Sequence, residues 1–481
     1  FVCLALSVQF ANLWNGIYGL NPDQKAQLLG SDVTINLNAD VNLSGTGVVG
    51  LGFDSANNLQ TFKGTFNGNN HKITLAIGEP YGMRGNDVVD SNDPGNGKLY
   101  RHTRLGLFAA IGGGATVNNL TVDGFIKFDN GLGVDAGSLA ATITGNATLN
   151  GVTCGSAITC DDTFGNDVNI GGVAGSVSGG GTVTFDSSNM SGSIKAQSTI
   201  NTGATLNGNT RIGGAIGYVA DVAAIVNVVS LEVGGATAND NTITASNSAS
   251  GKIAQVGGFI GCIAQGAAKN TTKVNITGLS FNSFNMTVGK NGDAKNGAGG
   301  LLGYSWGNAV VTIGDSSKNT SDSTYALKTN NASIIANNSG ELGGLVYAAS
   351  GHWIINDYAI NLSGTTINAD KANVLGLLIG RGSRVENSAT YGAETYSGLY
   401  LENRASWDTA YKVHDDATGN GVAINNTAIN SKNSATSFDE WVGNSTRPAY
   451  GNKAGSKLMD GEWNTVVSLH TQDEKLHMSD S

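Results

Sequence analysis

The chain has 481 residues, 70 of them Gly and only four Pro, with 13% charged residues and a formal net charge of −10. So little charge and Pro excludes ordinary disorder, Gly without a three-residue period excludes collagen, and no run approaches the ~18 apolar residues of a membrane span. A 40% apolar content set among dense Gly, Asn, Ser and Thr points instead to an all-β chain with many turns, and its thinly scattered Lys and Arg give no basic stripe for nucleic acid.

In chain order, Phe1 to Ala11 (FVCLALSVQFA) is apolar enough for the tail of a signal-peptide core or for an apolar helix that plugs the end of the fold. Asn21, Pro22 and Gly30 have the placement of an N-cap, a first-turn proline and a stop, so a short helix is expected there as part of an N-terminal cap over residues 1–30. The stretch Gly85–Gly97 gathers Asp87, Asp90, Asn92 and Asp93. Oxygen donors of this kind suit Ca²⁺, but Pro94 and Arg101 break the EF-hand pattern, and a solvated insertion is the competing reading.

From residue 105 onward one pattern returns: an apolar residue, one or two glycines, small or apolar residues, and often Gly again. It occurs at Gly106, at Gly137, then as the pairs Gly171–Gly172, Gly213–Gly214, Gly257–Gly258, Gly299–Gly300 and Gly343–Gly344, and last at Gly376. The steps are 31, 35, 42, 44, 42, 44 and 32 residues. After each copy comes a strand that alternates β-branched and polar residues, such as Thr272–Thr277, which means one buried face. Helical periodicity is almost lacking. Recurring short strands at such a step predict an all-β parallel β-solenoid over residues 31–390, in which each coil obtains a core by stacking on its neighbours. Steps of 42 to 44 divide into two coils of about 21 or 22 residues, so roughly 16 coils and a rod of about 75 to 80 Å are expected. Glycine at the corners serves either positive φ or close backbone approach, and Asn suits left-handed corners and hydrogen-bonded ladders.

Four segments carry a resemblance. They are Ile35–Gly45 (INLNADVNLSG), Phe62–Ile73 (FKGTFNGNNHKI), Gly106–Phe108 (GLF) and Ala115–Gly124 (ATVNNLTVDG). In order and spacing they resemble the opening of bacterial surface proteins with GLUG-type repeats, and the later copies extend the likeness to about three quarters of the chain. The resemblance implies a right-handed parallel β-helix, secretion, and display on the cell surface or in an adhesive or extracellular assembly. The second Gly is missing after Gly137 and Gly376, where bent or interrupted coils are expected. Residues 391–481 show no match and are assigned to a less regular C-terminal cap or assembly segment.

Motifs for catalysis are sparse. Gly303-Tyr304-Ser305-Trp306-Gly307 fits the serine elbow on paper, but alignment with the sister copies puts Ser305 where Val219 and Ile263 stand, so it is read as structural. Asp161–Asp162 and Asp415–Asp416 are adjacent, and neighbours in a strand face opposite ways. No residue is assigned to catalysis or to a cofactor. A polysaccharide lyase or glycoside hydrolase on the same scaffold is the rival reading, since glycoside cleavage needs positioned carboxylates. Trp306 and Trp353 are weighed as exposed stacking platforms for carbohydrate against filling of the interior. Cys154 and Cys160 are weighed as a disulfide against two packed apolar residues, while Cys3 and Cys262 look unpaired. The expected partners are further copies of the chain, through the aromatic segments Phe438–Gly443 and Gly461–Val467, or cell-surface carbohydrate. The expected location is extracellular or on the cell surface.

Overall fold

The computed structural model describes residues 27–44, 60–78, 104–128, 133–160, 167–190, 209–220, 223–235, 254–264, 272–288, 297–305 and, with a few gaps, 309–335 and 342–367. Elsewhere only Asp23, residues 243–245 and the backbone of short strands between Val2 and Asp480 are described. The described chain is almost wholly strand, and its large sheets are parallel.

Each repeat runs through the same stations. Val168–Gly171 forms one strand, Gly172 and Val173 make a corner, and Ala174–Val177 forms a second strand. The chain then enters a larger sheet through Gly181–Asp186, Ser188–Met190 and Ile194–Gln197. The first station, from Arg104–Leu105 to Val374–Gly376, makes an eight-stranded parallel sheet, and the second, from Phe108–Ile111 to Ile379–Gly382, makes another. The third station makes a sheet of 25 strands.

Register is kept to the residue. In the large sheet one column runs Ile35, Phe66, Val117, Leu149, Phe185, Val228, Ile276, Ile313, Ile355, and every member is at most 1% exposed. Burying one such side chain is worth about 1.5–3 kcal/mol, and none of these strands has a core without its neighbours. At the start of the column Val2 pairs with Ile35. Thus Val2–Leu4, expected within a leader or an apolar helix, is an added strand of the sheet. Of the expected helix, Asp23, Gln27 and Leu28 have helical backbone, and Leu28 packs into the main core.

The pairing corrects the expected coil. Ile170 lies beside Ile212, and Ile212 beside Val256, so a strand's neighbour is a whole repeat away. A repeat of 42 to 44 residues is therefore one layer rather than two, and it adds ~4.8 Å of height instead of twice that. The repeats that lack a second Gly are not interrupted either. Val134–Gly137 keeps register with both neighbours and Ser138 is fully buried in the corner, while Leu375 and Gly376 pair with Leu342 and Gly343.

Parallel pairing runs past the expected boundary at 390. Leu399–Asn403 stacks on Gly351–Ile355. That strand is then covered from the other side by Lys475–Asp480, antiparallel to Leu399–Asn403 and hairpinned with Thr465–His470. An antiparallel hairpin occupies an edge that would otherwise template another strand. Of the segment Gly461–Val467, Thr465–Val467 belongs to this hairpin; Phe438–Gly443 lies outside the described residues.

The corner glycines obey space rather than φ. None of Gly171, Gly213, Gly257 and Gly299 has positive φ. A Cβ on them would lie 1.9, 1.8, 1.9 and 1.9 Å from the carbonyl oxygens of Ala174, Ile216, Ile260 and Leu302. On Gly214 it would lie 1.9 Å from the oxygen of Gly258, one layer on. Positive φ is used at another bend, where Asn119 (φ 49°), Gly151 (65°) and Ser187 (46°) occupy equivalent places in three successive layers.

Gly214→Ala is expected to lower stability by about 2 kcal/mol or more, because backbone must move to admit the methyl. Gly180→Ala, whose added Cβ would stand 3.5 Å from its nearest neighbour, is expected to stay within about 0.5 kcal/mol of the parent. Thermal and urea denaturation of the two variants check the contrast.

Candidate functional site

Two arrangements of polar side chains stand out on this frame: a buried seam and an open cleft. The seam lies between the two eight-stranded sheets. Their strands are buried along nearly their whole length, so the faces turned from the main core must pack on one another. Glycine makes that approach close: a Cβ on Gly175 would lie 2.5 Å from the nitrogen of Ala136, and one on Gly217 at 2.5 Å from that of Ile170.

What fits between is short and polar. Register sets Arg104, Asp135, Asn169, Arg211 and Gln255 in one column, opposite Thr142, Ser176, Tyr218 and Cys262. Asn169 Nδ2 donates to Asp135 Oδ1 at 2.7 Å, and Ser176 Oγ meets Asp135 Oδ2 and Thr142 Oγ1, both at 2.9 Å. Arg104 Nε stands 3.4 Å from Asp135 Oδ2. Arg211 bonds Asp167 Oδ2 at 3.0 Å and Asn169 Oδ1 at 3.2 Å, and its guanidinium lies 4.0 Å over the Tyr218 ring. Further along, the seam turns aromatic, with Cys262, Tyr304 and Tyr347 packed together. Burial pushes the Cys262 thiol up to about 12, with Arg211 opposing. Gly297 makes room for Tyr347, whose ring atoms would stand 2.5 Å from an added Cβ. The arrangement pairs Asp135 with Asn169, Ser176 and Arg104 and pairs Arg211 with Asp167, while Arg211 Nε and Gln255 Oε1 are buried without a hydrogen bond. Sequence reasoning missed it, because only the pairing brings these residues together.

The outer face of the large sheet carries amide ladders, as expected for Asn in such a stack. Asn67 donates to Asn36 at 2.9 Å and Asn118 to Asn67 at 3.0 Å. Beside them His71 Nδ1 stands 3.3 Å from Asp40 Oδ1, which also accepts the Lys72 N–H at 2.9 Å. That backbone bond is the main cause holding the Asp40 carboxyl below its usual range. A second ladder, Thr184, Asn227, Asn275 and Thr312, floors a cleft of about 520 Å³ walled by Asp315, Lys318 and Asn356. Its wall is pinned from both sides: Asn319 Nδ2 donates to Thr277 O at 3.1 Å and to Thr324 O, and Asn356 Nδ2 donates to Gly314 O at 2.8 Å.

The residues singled out from sequence fall as follows. Ser305 is fully buried and pairs with Ile263, which pairs with Val219, as the repeat alignment implies. Trp353 is fully buried in register with Val311, so it fills the interior and is no sugar platform; Trp306 lies outside the described residues. The Cys154–Cys160 disulfide is not formed. Both thiols are free and buried, Cys154 stacked between Val122 and Met190 and Cys160 between Phe128 and Ala196. Each sits in its own column across the bend at Gly155 and Ser156, and burial pushes the Cys154 thiol up to about 12. Asp87–Val89 pairs with Leu99–Arg101 as an antiparallel hairpin; Asp90, Asn92 and Asp93 lie outside the described residues, as do Asp161 and Asp162. Among the described residues no three or more His, Cys, Asp and Glu side chains gather as a metal site, and no helix is long and apolar enough to cross a membrane.

Comparison with protein-family models, with curated proteins and with solved structures finds no match.

Asp135→Ala is expected to cost about 3 kcal/mol, since it removes at once the acceptor of the Asn169 amide, an acceptor of the Ser176 hydroxyl and the carboxylate beside Arg104. Asp135→Asn keeps one acceptor and should fall between. Denaturation midpoints of the two variants measure the difference.

Proposed function

We propose that this chain is a secreted or surface-displayed right-handed parallel β-helix with a non-catalytic adhesive or structural role, able to associate with further copies of itself. The observation that carries the reading is the unbroken parallel register from Val2 to Asn403, apolar inside and faced outside with Asn and Thr. Crossovers between parallel strands are right-handed in nearly all proteins, which supports the winding. Support for surface display comes from the four segments that resemble GLUG-type surface proteins. Three of them stack directly, at Ile35, Phe66 and Val117. A long face with few charges suits lateral contact, since the centres of interfaces are depleted in charge. Self-association in this reading uses that face, since Lys475–Asp480 already covers the Leu399–Asn403 strand of the last layer.

Full-length protein is expected to hold to cells, to polysaccharide or to itself in sedimentation and pull-down assays, without releasing sugar. Unsaturated or reducing ends appearing in the supernatant would promote the lyase or hydrolase reading. Loss of all three kinds of association would end the adhesive one.

A further inference from the structure

We propose that the cleft over Asn227, Asn275 and Thr312 binds a short neutral oligosaccharide; this deepens the adhesive reading by giving it a ligand-bearing site. At about 520 Å³ the cleft is of the size that takes a small ligand. Its floor spans four layers spaced ~4.8 Å apart, from Thr184 to Thr312, each offering an amide or a hydroxyl. Asn275 Nδ2 donates to Asn227 Oδ1 at 2.9 Å, which leaves the Asn227 N–H donors and the Asn275 carbonyl oxygen uncommitted. Both an amide and a sugar hydroxyl donate and accept, so a row of such groups matches a row of hydroxyls.

Charge selects among glycans. Asp315 and Lys318 bring one charge of each sign, and the Asp315 carboxylate already accepts the Ser317 N–H at 2.8 Å and the Ser317 hydroxyl at 2.7 Å. A polyanion gains nothing there. Among the described residues Val229 is the one large apolar side chain that is exposed, at 38%, and it lines this cleft. It offers the C–H face of a sugar ring an apolar surface beside the polar floor. An extended peptide is served less well. Peptides add to sheet edges through main-chain bonds, whereas this floor is a sheet face whose strands are paired on both sides. The pinned wall means that little ordering is left to binding.

The test titrates full-length protein with neutral β-1,4-linked gluco- and manno-oligosaccharides, with oligogalacturonate, and with a mixture of unstructured peptides. Neutral oligosaccharides are expected to bind. Asn227→Ala should weaken them roughly threefold to tenfold, and Thr312→Tyr, which fills the cleft from a half-buried outward position, at least about tenfold, with unchanged circular dichroism for both. Equal binding by parent and variants overturns the site while the adhesive reading stands. Preference for oligogalacturonate or for peptide overturns it as well, and so does failure of every sugar probe. The adhesive reading falls with it only if the protein also fails to hold cells and itself.

Discussion

Where one repeat turns from its first strand to its second, a carbonyl oxygen lies where a side chain would begin. At Gly171, Gly213, Gly257 and Gly299 that oxygen belongs to the next strand of the same repeat, and at Gly214 it belongs to the corner one layer away. At its first position the corner can therefore be built from glycine and from little else, while Ser138 and Leu107 hold the second position in two of the layers. Because each corner rests on the next, its register fixes that of both eight-stranded sheets. The steps between copies can then vary widely, since the extra length goes into connections outside the ladders.

Around that corner the layers divide the physical work. The inward column from Ile35 to Ile355 supplies apolar burial, which is indifferent to direction and forgives exchange of Phe for Val. The seam between the small sheets is less forgiving. Asp135 faces Asn169, Ser176 and Arg104 together, and buried charge is costly unless fully partnered. A slip of one small sheet past the other by one layer would set Tyr218 where Ser176 now meets Asp135. The seam thus specifies which layer sits on which, while the apolar column only requires that some layer does. The outward amide ladders add directional bonds at the surface and present a regular polar face.

The part of this that was legible in the sequence is the part set by local sterics. Glycine pairs mark the corners, Asn marks left-handed bends and ladders at Asn119 and Asn118, and alternation marks strands with one wet face. Layer height was misjudged because a 42-residue step divides into two short coils without offending any local rule. Only a pairing such as Ile212 with Val256 shows that the large sheet takes up the second half, in strands as long as Ala115–Phe128. The seam was invisible for a related reason. Four-residue strands buried on both faces do not alternate, so Asp135, Asn169 and Arg211 carried no periodic signal. The cleft likewise joins residues from Thr184 to Asn356, which no local window contains.

One repeat makes one layer, closed at its glycine corner. Thr116 and Thr312 stand in one outward column, linked through Thr148, Thr184, Asn227 and Asn275. Spin labels on cysteines introduced at Thr116 and Thr312, with distances read by double electron–electron resonance, measure the height of those five steps directly. One layer per repeat predicts backbone positions about 24 Å apart. A separation near ~48 Å, the value for two coils per repeat, would contradict it.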